Sequence, residues 1–440
     1  MSIPTPFPIR GVCEGFYGRP WSTEERLECF ALMKRVGMNT YMHAPKDDPY
    51  HRRMWRRPYP APRVAALAEW IAGARARRID FIYAIHPGLD IDFASRDDFA
   101  RLVAKCQQVL GLGAHAIALL MDDIDPQLKG AAARRFSTIA AAHCDLANRL
   151  RAALGAVPFY FCPTEYCTAF AAQALKSPYL REIGERLDPA IHVFWTGPEV
   201  ISEQLTRGHV AQVSAVLRRK VTIWDNLFAT DYALNRAYLG PLAGRQAGIE
   251  EHVDGLLINP NTPYRLNFIA IYTTALYLRD PAAYRPRGAW REAAIAWVGR
   301  PMLPALSLIA GFHWTPSGSS RAAARYLARV RQVLLADGGD GDARRRLRAA
   351  TKRHRSLLDK ALAQAALDPR VLVELWPYIA EVEAALEEFL IRFDRAEAVD
   401  PGARRVLTQR LVQFNRHRFS DLQRLRAELL TDQAAEARSP

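Results

Sequence analysis

Short apolar runs rich in β-branched and aromatic residues recur along the first part of the chain, at intervals of about 30–40 residues. Each run has the length of a buried strand and not that of a helix. The runs are Ile9–Glu14, Thr40–His43, Phe81–His86, Ala114–Met121, Val157–Cys162, Ile191–Trp195, Val221–Trp224 and Gly255–Ile258. So regular a recurrence restricts the chain to folds built from repeated strand-plus-helix units.

Helical patterns fill the intervals between these runs. In the first, Thr23–Val36, Ser22 is a suitable N-cap, Glu24 and Glu25 occupy the first turn, and Gly37 ends the helix. The others are Arg63–Arg77, Asp97–Leu110, Leu128–Leu154, Pro198–Leu217 and Thr262–Leu278. Eight such units predict a (β/α)8 TIM barrel over residues 1–283. A doubly wound open sheet is the alternative, but the chain lacks the Gly-rich first turn that such sheets use for nucleotides.

The pattern changes after about residue 280, where strand-like runs no longer occur. Helical segments rich in Ala, Leu, Arg and Glu begin near Trp290, Ser319, Asp342 and Val371. Breaks rich in Gly and Asp interrupt them at residues 338–342 and 400–402. Residues 284–440 are therefore predicted to form a C-terminal α-helical bundle domain.

The charge balance is basic, with 60 Lys and Arg against 46 Asp and Glu and a net charge of +14. Two basic runs stand out, His51–Arg57 after the second strand and Arg344–Arg355 on a predicted helix. Both are typical of solvated charged surfaces, and the alternative is attraction of an anionic glycoconjugate or a nucleic acid. No nucleic-acid or phosphate-loop motif accompanies them, so a nucleic-acid partner is not expected.

The six cysteines are scattered and form no Cys-x-x-Cys pair, which favours buried free thiols over zinc or redox chemistry. His43 and His86 end strands, but neither has the helix-spaced partner of a metal site, and no metal or cofactor is expected. The N-terminus shows no secretory signal, and no apolar run has the length of a membrane span. A cytoplasmic protein that does not bind membranes is the expectation.

The barrel interpretation requires reactive residues to cluster where strands end. They do so here, because the run-ends carry carboxylates, amides, a lysine and aromatic side chains. Aromatic rings stack on the apolar face of a pyranose, while carboxylates and amides bind its hydroxyls. The collected side chains therefore indicate a carbohydrate as the ligand.

The fourth run ends in two adjacent acids, Asp122 and Asp123. They could simply cap the next helix or face solvent in a loop, but two consecutive acids after a buried run favour catalysis. Close carboxylates do not easily ionise together, so one proton donor and one permanent anion are expected. Neighbours on one strand cannot face each other across a sugar, as an acid and an opposing nucleophile do. They suit substrate-assisted cleavage, in which the substrate's acetamido oxygen attacks the anomeric carbon. Asp125 is expected to hold the turn before Pro126.

Seven segments, in order from about Arg10 to Leu278, resemble the motifs of the O-GlcNAcases, the β-N-acetylglucosaminidases of glycoside hydrolase family 84. They are Glu14–Trp21 (EGFYGRPW), Ala44–Asp48 (APKDD), Asp122–Asp125 (DDID), Cys162–Cys167 (CPTEYC), Trp195–Pro198 (WTGP), Ile223–Asn226 (IWDN) and Asn259–Asn261 (NPN). Seven matched motifs are far more specific than any one of them. The resemblance implies a (β/α)8 barrel that removes β-linked N-acetylglucosamine (GlcNAc) from a glycoprotein or glycoconjugate.

The resemblance also implies roles for individual residues. Asp122 would orient the acetamido N–H, Asp123 would act as general acid and then base, and Tyr166 would donate to the glycosidic oxygen or stabilise the acetamido group. The implied substrate-binding residues are Gly15 and Lys46 on the 3-hydroxyl side, Trp224 and Asn226 around the acetamide, Asp231 and Asn259 at the 4- and 6-hydroxyls, and Tyr17 and Tyr232 as further contacts.

Several alternatives stay open at this point. Trp224 could be a core tryptophan, Lys46 a surface lysine, Tyr166 a packed side chain, and Glu165 could be mistaken for a second acid. A glycosidase that cleaves hyaluronan or other GlcNAc polymers would share the motifs. A barrel that binds glycoproteins without catalysis is disfavoured, because binding alone needs no acid pair.

Overall fold

The structure, a computed structural model, describes residues 5–233, 235–335, 341–364, 368–394 and 420–436. These residues form two compact units. The first comprises residues up to Asp231, Leu242–Tyr264 and Ile271–Pro286, and the second comprises Tyr232–Pro241, Arg265–Ala270 and the chain from Arg287 onward. The predicted boundary between residues 283 and 284 stays a prediction.

Eight parallel strands close into a barrel in the first unit, in sequence order, which confirms the predicted (β/α)8 architecture. The strands are β1 Ile9–Glu14, β2 Thr40–His43, β3 Asp80–Ile85, β4 Ala116–Leu120, β5 Phe159–Cys162, β6 Ile191–Trp195, β7 Val221–Asp225 and β8 Val253–Ile258. Parallel pairing of β1 with β8, where Val12 stands opposite Ile258, completes the ring. All eight predicted strands are present, with ends that shift by a few residues.

The helices of this unit are α1 Thr23–Val36, α2 Ala61–Ala76, α3 Arg96–Leu110, α4 Gly130–Arg135, α5 Ile139–Leu154, α6 Pro178–Arg186, α7 Arg207–Leu217 and α8 Phe268–Arg279, the last of which begins in the second unit. Helix α1 has the predicted bounds. The Ser22 side chain accepts from the Glu25 N–H, and the Glu25 carboxylate accepts from the Ser22 N–H, which is a capping box. Gly37 ends the helix in the left-handed conformation, as expected.

Three helix predictions were wrong at their starts or interiors. The predicted helix Leu128–Leu154 is two helices, because Phe136 leaves α4 in an extended conformation and Thr138 then caps α5. The predicted helix from Pro198 begins only at Arg207, where Thr206 supplies the N-cap. The stretch from residue 262 becomes regular α-helix only at Phe268. The caps Thr138 and Thr206 decided the first two boundaries against a continuous apolar pattern.

Small and medium-sized side chains fill the barrel interior, among them Cys13, Met42, Ala84, Ala118 and Leu120. Gly11 is required by a close approach, since an added Cβ would lie 1.6 Å from the Thr40 carbonyl oxygen. All six cysteines are buried and free, as predicted. A filled interior leaves the carboxyl ends of the strands as the place where a ligand can bind.

The second unit contains the described helices α9 Pro286–Phe312, whose first residue belongs to the first unit, α10 Arg321–Leu335, α11 Gly341–Gln364, α12 Pro369–Asp394 and α13 Asp421–Glu436. Cross-contacts include a 2.8 Å hydrogen bond between the hydroxyls of Tyr326 and Thr351 and an ion pair of Arg348 with Asp394. The basic run Arg344–Arg355 lies in α11, and at least one of its arginines, Arg348, is paired with an acid of α12. Organisation of the whole region as a bundle stays a prediction, because residues 336–340, 365–367, 395–419 and 437–440 lie outside the described structure.

The expectation that no segment has the length of a membrane span was wrong for α9. By length and composition this helix could cross a membrane. Its backbone is interrupted at Gly299, with φ 78° and ψ 167°, and Pro301 and Pro304 follow directly. A single such helix is weak evidence for a span, because core helices pass the same test.

Candidate active site

The two acids at the end of β4 occupy different environments. Asp122 is buried and Asp123 is exposed. The backbone of Asp123 has φ 53°, in the left-handed region that non-glycine residues seldom adopt. Neighbouring side chains bind the carbonyls on either side of Asp122: Thr164 Oγ1 donates to the Met121 oxygen at 2.7 Å, and His86 Nε2 lies 2.6 Å from the Asp122 oxygen. The turn therefore points adjacent carboxylates in different directions.

Asp122 forms an ion pair with Lys46, and both side chains are more than nine-tenths buried. Burial by itself would raise the pKa of the Asp122 carboxyl, but the Lys46 ammonium outweighs it and holds that pKa well below its ordinary value. The pKa of Lys46 is raised, because attraction to Asp122 overcomes its own burial. Oδ1 of Asp122 is buried and has no hydrogen-bond donor among the described residues. A permanent anion with one unsatisfied oxygen results.

Asp123 accepts hydrogen bonds from two phenols. Tyr17 donates to Oδ2 at 3.0 Å, and Tyr166 donates to Oδ1 at 3.0 Å. Burial and the nearby Asp123 charge raise the pKa of both tyrosines, so both hydroxyls remain protonated donors at neutral pH. An exposed carboxylate held between two donors has a fixed orientation and still reaches solvent, as a group that exchanges protons with a ligand must.

Trp224 forms an apolar wall beside the ion pair. Its indole ring lies 5.8 Å from Lys46 Nζ and makes a T-shaped contact with Phe194 at 5.5 Å between ring centroids. Gly15 faces this ring, and an added Cβ there would lie 2.3 Å from Trp224 and 2.7 Å from the sulfur of Cys13. Only a glycine at position 15 leaves room for the Trp224 ring in this position.

Amide and carboxylate groups gather on the side of β7 and β8. Asn259 Nδ2 donates to Asn226 Oδ1 at 2.9 Å, and Asn226 Nδ2 donates to the Val200 carbonyl at 2.8 Å. Asn259 Oδ1 is buried without a hydrogen-bond partner among the described residues. Asp231 accepts from the Tyr17 backbone N–H at 2.9 Å. Tyr17 thus contacts both Asp231 and Asp123, which joins the loops that follow β1, β4 and β7.

Tyr232 belongs to the second unit, where its hydroxyl lies 2.6 Å from that of Tyr238. Its predicted contact with substrate stays a prediction. Glu165, the other acid near Tyr166, accepts from the Ser177 hydroxyl and from the Ala172 N–H. Its carboxylate therefore caps local backbone structure and is not directed at the acid pair.

Carboxylates anchor the loop between β1 and α1 by its backbone. The N–H groups of Tyr17, Gly18 and Trp21 donate to Asp231, Asp47 and Glu14 respectively, at 2.9–3.0 Å. Glu14 also forms a buried ion pair with Arg26 and accepts from the Tyr41 hydroxyl. Sequence reasoning named Glu14 only as part of a motif, since a buried acid and a helical arginine twelve residues apart carry no local signal.

Three further features escaped the sequence reasoning. The Nε2 atom of the buried His86 lies 2.6 Å from the Asp122 carbonyl oxygen, and Asp225 is fully buried in an ion pair with Arg245. The basic run 51–57 is not a uniformly solvated face, because His51 and Trp55 are buried and Arg52 donates to the Tyr17 hydroxyl at 3.0 Å. Across the described residues, no group of three or more His, Cys, Asp or Glu side chains is placed to hold a metal ion.

A family model described as beta-N-acetylglucosaminidase matches residues 10–310, which include the barrel strands from the second residue of β1 onward and the acid pair. The chain belongs to the β-N-acetylglucosaminidase family. The matched region includes the residues at or just after the strand ends that surround the acid pair, namely Lys46, Asp122, Asp123, Tyr166 and Trp224.

Protein O-GlcNAcase of Rattus norvegicus is 42% identical over 272 residues, which are 61% of this chain and 30% of that protein. The Mus musculus protein of the same name matches equally. This β-N-acetylglucosaminidase family member therefore aligns with less than a third of the length of those relatives. A solved structure of a mutant O-GlcNAc hydrolase from Thermobaculum terrenum aligns with a TM-score of 0.80 at 27% identity, covering 99% of this chain and 97% of that one.

Proposed function

We propose that the chain is a retaining exo-β-N-acetylglucosaminidase that removes β-linked GlcNAc, including O-GlcNAc from Ser or Thr of glycoproteins, by substrate-assisted catalysis. The relatives named O-GlcNAcase support the substrate class. One observation carries the mechanism: Asp122 is a buried, lysine-paired anion, while its neighbour Asp123 is exposed between two phenols.

Asp122 suits an acetamide better than it suits a role as nucleophile. A nucleophilic carboxylate and its acid partner lie about 5 Å apart, on opposite sides of the scissile bond. Consecutive residues of one turn do not span a sugar in that way. The free Oδ1 of Asp122 would instead accept the acetamido N–H, which increases the negative charge on the amide oxygen. That oxygen would then attack the anomeric carbon.

In the first step a bond forms between the acetamido oxygen and the anomeric carbon, and the glycosidic C–O bond breaks. Protonated Asp123 gives its proton to the departing oxygen. The products are the free alcohol and an oxazolinium ion, which keeps the acetamido N–H proton and holds it against the Asp122 carboxylate. In the second step Asp123, now ionised, takes a proton from a water molecule that attacks the anomeric carbon. The bond between the anomeric carbon and the oxazolinium oxygen breaks, which restores the neutral acetamido group and protonated Asp123, and GlcNAc leaves with its β configuration retained.

Trp224 and the amides suit the remaining contacts. The indole face offers an apolar wall for the acetamide methyl group or the pyranose, and the unsatisfied Oδ1 of Asn259 offers an acceptor for a sugar hydroxyl. Lys46 holds Asp122 ionised throughout the cycle. Cleavage within GlcNAc polymers such as hyaluronan is the second candidate, since it would use the same acid pair.

Hydrolysis of a chromogenic β-GlcNAc substrate tests the proposal directly. Asp123→Asn and Asp122→Asn should each lower kcat/KM by about 100-fold or more while the proteins stay folded. Asp125→Asn is the matched control, because Asp125 lies two residues away, caps the Gln127 N–H and pairs with Lys129 at the surface. Its activity should stay within about twofold of wild type.

An inactive wild type, or full activity in Asp123→Asn, would refute hydrolysis and favour a binding barrel. A GlcNAc-derived thiazoline, which mimics the oxazoline, should inhibit competitively, and failure to inhibit would point to a nucleophile on another strand. Comparing an O-GlcNAc peptide with a hyaluronan oligosaccharide separates the substrate classes. Release of GlcNAc from the peptide alone supports the exo activity, and internal cleavage of the polymer overturns it.

A further inference from the structure

The peptide planes on either side of Asp122 are each held by a side chain from a neighbouring strand end. Thr164, after β5, donates to the carbonyl of the Met121–Asp122 peptide at 2.7 Å. His86, after β3, donates through Nε2 to the carbonyl of the Asp122–Asp123 peptide at 2.6 Å. Within the described part of the chain, the last backbone hydrogen bond of this strand end is the one that the Met121 N–H donates to the Cys162 carbonyl at 2.9 Å. Beyond that point the turn depends on side chains.

The chemistry of the site fixes the tautomer of His86. A carbonyl oxygen can only accept, so Nε2 carries the proton. The ring is fully buried, and burial lowers the pKa of His86 to about 4, so the imidazole is neutral at neutral pH. Nδ1 is then a lone pair, and it has no hydrogen-bond donor among the described residues. A single directed N–H therefore faces the acid pair from β3.

The Asp122–Asp123 peptide, whose carbonyl His86 binds, directly precedes Asp123, the residue with positive φ. Rotation about the N–Cα bond of Asp123 is measured from the Asp122–Asp123 peptide plane, and that rotation is 53°. A non-glycine residue stays in this region only where its surroundings hold it there. A donor on the carbonyl of that peptide is a restraint of this kind, because relaxation to negative φ would turn the carbonyl away from His86.

We propose that His86 and Thr164 are positioning residues, which fix the two peptide planes around Asp122 and thereby set the relative directions of the Asp122 and Asp123 carboxylates. His86 Nε2 bonds the Asp122 carbonyl at 2.6 Å and lies 3.6 Å from Asp122 Oδ1, so its role is to position Asp122 and not to react. The kinetic part of this proposal rests on the proposed function, and its structural part does not. Thr164 also stands two residues before Tyr166, so the same strand end supplies one restraint on the turn and one donor to Asp123.

Two substitutions at each position distinguish the effect of losing the donated hydrogen bond from the effect of changing the packing of the side chain. His86→Gln keeps an N–H close to the position of Nε2, and His86→Leu removes it. Thr164→Ser keeps the hydroxyl, and Thr164→Val removes it at nearly constant volume. His192→Leu is the control, because it removes a partly exposed His–Asp contact with Asp254 near the amino-terminal end of β6, away from the acid pair.

We expect His86→Leu and Thr164→Val each to lower kcat about 10–100-fold with KM within about threefold, since a small misplacement of catalytic groups acts on the transition state. His86→Gln and Thr164→Ser should recover most of the loss. Affinity for the thiazoline should fall in parallel with kcat/KM, while affinity for the product GlcNAc changes less. His192→Leu should lower the midpoint of thermal unfolding and leave kcat unchanged.

A crystal structure of the His86→Leu variant tests the structural part of the proposal without any measurement of activity. Rotation of the Asp122 carbonyl, or return of Asp123 to negative φ, supports the proposal even if the wild type proves inactive, in which case only the proposed function fails. An unchanged turn together with kcat within threefold of wild type overturns it. Equal impairment by Gln and Leu also overturns it, because the ring's packing would then be what matters. If His86→Leu does not fold, Thr164→Val decides by the same criteria.

Discussion

Replacing Lys46 by Met leaves the Asp122 carboxylate buried without its counter-charge. The two side chains are 3% and 9% exposed, so solvent cannot take the place of the lysine. Removing one partner of a buried ion pair destabilises a protein by about 3–5 kcal/mol. We therefore expect the Lys46→Met variant to lose about that much of its free energy of unfolding at pH 7.

The pH dependence of this loss distinguishes a charge effect from a packing effect. In the wild type the pKa of Asp122 is depressed, so its contribution to stability is fully present above the unfolded-state value of about 4 and is lost only at lower pH. In the variant burial acts alone and raises that pKa. The folded state then binds a proton that the unfolded state does not, and stability rises as pH falls between the raised pKa and about 4.

Urea unfolding at pH 8, 7, 6 and 5 measures this directly. Below the raised pKa, each pH unit should restore about 1.4 kcal/mol in the variant relative to the wild type. Adding Asp122→Asn to Lys46→Met should restore stability at pH 7, because it removes the uncompensated charge. A deficit that is constant with pH, or a double variant no more stable than Lys46→Met, would show that the lysine contributes packing and not charge.

Three further outcomes follow from other contacts. Tyr166→Phe should lower kcat about 10–100-fold with little change in the unfolding midpoint, because one hydrogen bond to the Asp123 carboxylate is lost; steady-state kinetics decide, and an unchanged kcat refutes it. Gly15→Ala should raise KM, because its Cβ would displace the Trp224 ring, and an unchanged KM would contradict that geometry. Glu14→Gln should lower the free energy of unfolding, measured in urea, by about 3–5 kcal/mol, because the buried Arg26 guanidinium loses its counter-charge. A loss below about 1 kcal/mol would argue against this.

Much of the barrel was predictable because its signals are local. Strand-length apolar runs with their spacing, and the capping residues of α1, lie within a few positions of the elements they define. The continuous helix expected over Leu128–Leu154 was wrong for the converse reason. Its apolar pattern continues across Phe136, and only the local cap at Thr138 marks the new start.

The acid pair could be located from sequence, but its support could not. Asp122 and Asp123 are visible as charges after a buried run, and Lys46 belongs to a recognisable motif. The bond from His86 to the Asp122 carbonyl depends on the stagger of β3 against β4, where Ile85 stands opposite Leu119. Register between strands separated by a helix leaves no trace in the residues themselves, so this bond was not predictable.

The carboxylate-anchored loop between β1 and α1 has a thermodynamic consequence. The N–H groups of Tyr17, Gly18 and Trp21 donate to carboxylates of the protein itself, so the conformational entropy of ordering this loop is lost during folding and not during ligand binding. The affinity for a ligand is then not reduced by the cost of ordering this loop. Amide hydrogen exchange in this loop should accordingly be slow before any ligand is added, and occupancy of the pocket should slow it little further.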